Sequence, residues 1–299
     1  MHDMGRHWLR TGLLLLPLGF GELAAQALDV AWHGEAPQQG TLAYLVVRGT
    51  GLAVAVDGDL GRTALRFEPV GNGAFVALAG VPIDAADTVH PTIRVRYADG
   101  RVVRATPRLP VVGVRFPSER LSVAPEFSRP PDSALAVRIA RENRLARRVS
   151  ERALTTPRLW RGAFVPPRDA AVTSPYGTGR VFNGAVRSRH LGTDFQGLLG
   201  DSVQATNRGV VALVGDFYYA GRIVYLNHGA GLVTAYLHLS ETLVQTGDTV
   251  EVGQLIGRVG RSGRVTGPHL HWAVKHGPYA LDGRSLLALP PIETIGADR

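Results

Sequence analysis

His269-Leu270-His271 places two imidazoles two residues apart. In an extended strand residues i and i+2 share a face, so both rings project together. Leu270, Trp272 and Val274 then point the other way, into a core, and Gly267-Pro268 turns the chain into the strand. A second pair is His190 and Asp194, with Gly192 between them and the apolar Phe195 just after. An imidazole and a carboxylate at that spacing can converge on one ion from a turn that leads into a strand. Histidine and carboxylate ligands with one position left for water make the usual catalytic zinc arrangement, and mixed nitrogen and oxygen donors suit that metal. A third element runs from Val233 to Ser240. Its alternation puts Thr234, Tyr236, His238 and Ser240 on one face and Val233, Ala235, Leu237 and Leu239 on the other. A histidine on the polar face of a core-packed strand is placed to act on a bound substrate. His228, in Asn227-His228-Gly229, reads as a turn residue, and His276 as a surface residue at a strand end. No H-E-x-x-H helix occurs, which excludes the common helical metalloprotease design.

These residues need a scaffold, and the rest of the chain supplies one. The sequence has 299 residues, 36 of them glycine and 19 proline, with 45% hydrophobic and 19% charged. That is enough for about two domains with cores of their own. Residues 28–115 carry short β-rich runs: Thr41 to Val47, Leu52 to Val56, Ala64 to Phe67, Ala74 to Leu78 and Thr92 to Tyr97. Turn signals such as Gly71-Asn72-Gly73 and Asp99-Gly100 separate them, so the spacing predicts an immunoglobulin-like β-sandwich. Residues 116–158 form a linker with Pro117, Pro125, Pro130 and Pro131, followed by a basic helix over Ser133 to Leu154. The helix carries a loose apolar stripe of Leu135, Val137, Ile139, Leu145 and Val149, and its arginines read as a solvated face. Residues 159–299 are again β, with strands over Val210 to Val214, Arg222 to Leu226, Leu232 to Leu239 and His269 to Val274. The chain is therefore mostly β, with an antiparallel sheet or barrel-sandwich carrying the histidines.

Cysteine is absent, which excludes a disulfide framework, a thiolate nucleophile and cysteine-held metal. The net charge of +8 rests almost wholly on arginine, Lys275 being the only lysine. Such a surface suits nucleic acid, an anionic membrane or an anionic polymer. No zinc finger, homeodomain-like or RNP-type signature accompanies it, so no nucleic-acid partner is expected. At the N-terminus Arg6, His7 and Arg10 precede the apolar run Leu13 to Phe20, and Ala25-Gln26-Ala27 follows. This is the layout of a secretory signal over residues 1–27. The run falls short of the ~20 residues of a membrane span, so an exported, soluble protein without stable membrane insertion is expected.

Taken together, these motifs resemble the lysostaphin-type (LytM-like) zinc endopeptidases that cut cell-wall peptidoglycan. The resemblance covers roughly residues 160–283 and rests on S-P-Y-G at 174–177, H-L-G-T-D at 190–194, Y-L-H-L-S at 236–240, G-D-T-V-E-V-G-Q-L-I-G at 247–257 and T-G-P-H-L-H-W at 266–272. It implies one zinc ion per chain on His190, Asp194 and His271, with His238 and His269 as unliganded catalytic histidines. It also implies a substrate-groove position for Tyr176. The implied reaction is hydrolysis of an amide in a peptidoglycan peptide cross-link; with no sorting signal or wall-binding repeat after the catalytic half, the periplasm of a Gram-negative cell is the expected location.

Two other readings compete. Some relatives have lost ligands and serve as peptidoglycan-binding or regulatory modules that activate other wall hydrolases; here the ligand set is intact, though the β module or the basic helix could lie across the groove and hold it shut. A lipoyl- or biotin-carrier hairpin, which residues 247–257 also resemble, needs a modifiable lysine on an exposed turn, and Lys275 follows the H-L-H-W strand instead. Oligomeric state is not legible in the sequence.

Overall fold

The computed structural model describes residues 28–127, 129–184 and 186–295. The secretory-signal segment, 1–27, lies outside them. The first ninety or so described residues form two four-stranded antiparallel sheets. One runs, in spatial order, Asp29–Trp32, Leu42–Arg48, Ala74–Gly80, Glu68–Gly71; the other runs Thr63–Arg66, Ala53–Leu60, Thr92–Tyr97, Val102–Ala105. Leu45, Val47 and Ala77 of the first sheet meet Val56, Ile93 and Val95 of the second in a shared core. The Gly71-Asn72-Gly73 turn works because Asn72 adopts a left-handed conformation, φ 51°, which asparagine tolerates better than most residues.

The first sheet is buried on both faces. Leu42, Tyr44, Val46, Val76 and Leu78 face away from the sandwich and join Trp160, Leu281, Leu286 and Ile292 in the core of the C-terminal half. That explains why Leu42 to Val47 is apolar without interruption, as strands covered on both sides are. Polar contacts seal the junction. Arg158 pairs with Glu68 at 2.9 Å and with Glu293 at 2.8 Å, and Arg66 donates to the carbonyls of Leu154 and Thr155 at the C-terminus of the long helix, where a cation is favourable.

The proline-rich segment holds a strand that its sequence does not announce. Ser118–Leu121 pairs in parallel with Gly179–Phe182, which pairs in turn with Val186–Arg189. The helix follows at Ser133–Thr155, capped by the Asp132 carboxylate, which accepts from the Leu135 amide at 2.8 Å. Val149 and Ala153 pack on Ile223, Tyr225, Val233 and Ala235. The expected stripe is truncated at its start, since Val137 is 68% exposed. The N-terminal turns are instead held by the buried Glu142, which takes Arg138 at 2.7 Å and the Tyr218 amide at 2.9 Å.

The C-terminal half is built on one large antiparallel sheet whose path runs Val172–Ser174, Thr193–Gln196, His269–His276, Leu232–Thr242, Gly221–Gly229, Gly209–Phe217, Thr249–Val250. One face is the core, with Trp272, Tyr236, Leu239 and Leu270 wholly buried. The other face is divided: the long helix covers Val233 and Ala235 at one end, and the rest stays open as a groove.

Candidate metal centre

Burial alternates along His269–His276, with Leu270, Trp272, Val274 and His276 inside and His269 and His271 on the groove side. Asp194 lies directly opposite His271 on the neighbouring strand, and Leu237 opposite it on the other side. His190 closes in from the preceding turn, where its amide bonds to the Thr178 carbonyl. Three donor atoms meet: His190 Nε2 lies 2.9 Å and His271 Nδ1 2.8 Å from Asp194 Oδ1, and the two nitrogens are 3.0 Å apart. Among the described residues, this is the cluster of histidine and carboxylate groups able to hold a metal ion.

The surroundings fit a cation. His190 Nδ1 lies 2.9 Å from the Pro175 carbonyl, which can only accept, so the ring proton sits there and Nε2 carries a lone pair. That lone pair faces a carboxylate oxygen, an arrangement that is favourable with a positive charge between them. Burial alone would raise the Asp194 carboxyl, but the imidazoles of His190 and His271 set against it outweigh that and hold the group well below the usual carboxylate range. Burial also lowers the His271 pKa, leaving a neutral ring, the form that ligates. A triangle of donors with edges near 3 Å resembles three corners of a tetrahedron about an ion roughly 2 Å from each, as in zinc sites. Gly192 is required here: a Cβ on it would lie 2.5 Å from His271 Nε2 and 2.7 Å from the Trp272 carbonyl oxygen.

His238 reaches this centre by a route that simple alternation misses. Val224 faces Tyr236 and Arg222 faces Leu239, so Leu237 and His238 share a single partner and form a β-bulge. His238 takes φ 64° in it, a costly conformation for a residue with a Cβ and one concentrated at functional sites. The bulge separates His238 from Tyr236, which is buried in the core with its hydroxyl on Thr206, and turns the imidazole into the groove beside Leu237. The expected shared face of Thr234, Tyr236 and His238 is therefore corrected: one extra residue in the strand flips it. His238 Nδ1 donates to the Ser262 carbonyl at 2.8 Å and His269 Nδ1 to that of Gly267 at 2.9 Å, leaving each Nε2 free. The two rings stand 5.0 Å apart by centroid, and His269 Nε2 is 3.7 Å from Asp194 Oδ1. Burial, then the neighbouring His271 and His269, drives the His238 pKa well below its ordinary value, so this imidazole is neutral.

Around them lies a groove of about 450 Å³. Neither the sandwich nor the long helix contributes a lining residue; Glu119, Leu121 and Val123 of the intervening segment do. Glu119 bonds Arg180 at 2.6 Å, and Arg180 bonds Asp194 Oδ2 at 2.6 Å and Ser174 Oγ at 2.8 Å. The metal-facing carboxylate is thus anchored from behind by residues that nothing in an arginine-rich sequence singles out. Tyr176 is placed elsewhere: it is buried, its ring packs edge-on to Phe116, its hydroxyl donates to the Ala280 carbonyl at 2.7 Å, and it does not line the groove. His228 and His276 are both fully buried, so neither is the turn or surface residue expected. Pro157 and Arg158 close over the turn that follows His228, and Gly80 and Gly231 pack against His276.

Comparison with known proteins agrees with this geometry. Residues 188–283 match the model of Peptidase family M23. Peptidoglycan DD-endopeptidase ShyA of Vibrio cholerae is 48% identical over 83 residues, which is 28% of this chain and 19% of that protein. DD-carboxypeptidase/endopeptidase Mpg of Neisseria meningitidis is 36% identical over 110 residues, 37% of this chain and 25% of that one. The chain thus spans about a fifth to a quarter of the length of the curated relatives it matches. A crystal structure of a Pseudomonas aeruginosa chain described as peptidase M23 superposes with a TM-score of 0.66 at 24% identity, covering 85% of this chain and 96% of that one. The shared architecture therefore extends through the N-terminal sheets and the central helix.

Proposed function

We propose, from the match of residues 188–283 to the model of Peptidase family M23, that this chain is an exported zinc metalloendopeptidase that hydrolyses amide bonds in peptidoglycan peptide cross-links. The observation that carries the reading is the triangle of His190 Nε2, Asp194 Oδ1 and His271 Nδ1 with two further imidazoles beside it in an open groove. His190 Nε2, Asp194 Oδ1 and His271 Nδ1 would hold the zinc, which would supply an acidified water as nucleophile near neutral pH. His238 and His269 each present Nε2 with its lone pair, because Nδ1–H is spent on a backbone carbonyl. One of them takes the proton of the attacking water at Nε2, and the resulting N–H then serves the oxyanion or the departing amine. Arg180 keeps Asp194 Oδ2 occupied, so that Oδ1 alone faces the centre.

The names of the relatives support a DD-endopeptidase acting on peptidoglycan. The strand order in the two N-terminal sheets supports an immunoglobulin-like sandwich for residues 28–115. A cleaved signal over 1–27 and work in the periplasm fit the basic and apolar pattern of that segment. Among the described residues no helix is long and apolar enough to cross a membrane.

The test is digestion of intact peptidoglycan sacculi by the zinc-loaded chain, with released fragments weighed by mass spectrometry. Conversion of cross-linked dimers to monomers, absent with His269→Ala, is the expected result. Intact dimers with both proteins would refute the activity.

A further inference from the structure

Three arginines line the groove, and their guanidinium groups are placed differently. Arg180 is consumed by Glu119, Ser174 and Asp194, and Arg189 donates to the Gly177 carbonyl. Arg264 has neither carboxylate nor carbonyl on its guanidinium among the described residues. It is instead clamped between two rings, 4.3 Å from the centroid of Phe182 and 4.6 Å from that of Tyr219. Its amide bonds the Tyr219 carbonyl at 2.9 Å, which fixes the stem. Two ring contacts hold the cation in place while no hydrogen bond among the described residues uses its N–H groups, which leaves them for a two-point bond to a carboxylate. Burial, with Arg180 nearby, lowers the Arg264 pKa from the ordinary guanidinium value, the sign of a charge lacking compensation; it stays protonated at any physiological pH. The same loop carries Ser262 and Gly267, whose carbonyls orient His238 and His269. The loop that carries Arg264 thus also orients both imidazoles, and all three side chains line one groove.

We propose that Arg264 is the carboxylate-binding residue of the groove, taking a free carboxylate of the bound peptide next to the amide that is cut. The peptide nature of the ligand rests on the function proposed above; the preference for a carboxylate rests on the unpaired, ring-clamped guanidinium. Two carboxylates of a cross-linked stem could serve, the one on the diamino acid at the cross-link and the one at the chain terminus.

The experiment uses three synthetic cross-linked peptides, with both carboxylates free, with the diamino-acid carboxylate amidated, and with the terminal one amidated. Turnover by the zinc-loaded full chain and equilibrium binding to it are measured for each. A charge-assisted pair of this kind makes KM for one amidated peptide about 10- to 100-fold higher than for the free acid, and which amide does so identifies the carboxylate. Arg264→Gln raises KM for the free acid by the same factor and erases the preference. Arg264→Lys, which keeps the charge but not the planar fork, restores part of it. Melting temperature and zinc content establish that both variants are folded. Turnover without preference in the wild type, or a preference that survives in Arg264→Gln, overturns the proposal while leaving the peptidase reading intact. Absence of turnover with carboxylate-selective binding that Arg264→Gln abolishes keeps the site and removes the peptidase reading.

Discussion

Two buried histidines outside the groove make the stability of this protein acid-sensitive. His228 is pinned with Nδ1 at 2.8 Å from the Arg208 carbonyl and Nε2 at 2.8 Å from Thr234 Oγ1. His276 bonds the Ala230 carbonyl at 3.1 Å through Nε2, while its Nδ1 is buried without a partner. Burial pushes each pKa down to about 4 from an ordinary 6.5. Well above pH 6.5 both rings are neutral in folded and unfolded chains alike, and they contribute no pH dependence. Between pH 6.5 and 4 the unfolded chain takes up protons that the folded one refuses, so stability falls as the pH falls. From those values the loss is about 2 kcal/mol per histidine at pH 5, or about 4 kcal/mol for the pair, against a total of about 5–15 kcal/mol for a typical protein. Urea unfolding of the zinc-free chain at pH 7.5 and pH 5 measures it, with a His228→Gln/His276→Gln variant alongside. All other groups are common to the two proteins and cancel in the comparison. The wild type should lose about 4 kcal/mol more than the variant over that interval. Equal losses would refute the assignment of acid sensitivity to these two positions.

The centre makes further predictions. Arg180→Gln frees Asp194 Oδ2 and should weaken zinc binding about 10- to 100-fold, read by competition with a chelator; unchanged affinity would show that the anchor behind Asp194 is dispensable. Gly192→Ala drives a Cβ into His271 and a backbone carbonyl; it should cost about 1–3 kcal/mol in thermal melts and abolish the stabilisation that added zinc gives the parent. His238→Ala and His269→Ala should retain stoichiometric zinc yet lose about 10²- to 10⁴-fold in turnover, whereas loss of zinc along with activity would make them ligands.

How much of this the sequence carried depends on whether local periodicity or distant cover decides a residue's environment. The H-x-H strand alternates without irregularity from His269 to His276, so its two faces could be read directly, and the H-L-G-T-D turn needs only its own glycine. His238 was legible as a groove residue but not by the correct geometry, because a bulge changes the count without leaving a glycine or proline to mark it. Both buried histidines stand beside turn-forming glycines and look exposed until segments dozens of residues away close over them. Ser118–Leu121 has no strand-like alternation; it is extended because Gly179–Phe182 offers an unpaired edge. Arg180 and Arg264 are two arginines among many, and only their neighbours distinguish them.

That parallel strand also bears on the order in which the molecule assembles. Glu119 and Arg180 are 61 residues apart in sequence, and a parallel pair of such separation must wait for a large loop to close, whereas the hairpins on either side form from near neighbours. The donors of the metal triangle are likewise drawn from positions 77 and 81 residues apart. One wall of the groove and the metal centre behind it therefore belong to the late, cooperative part of folding, and a partly folded chain has no complete site.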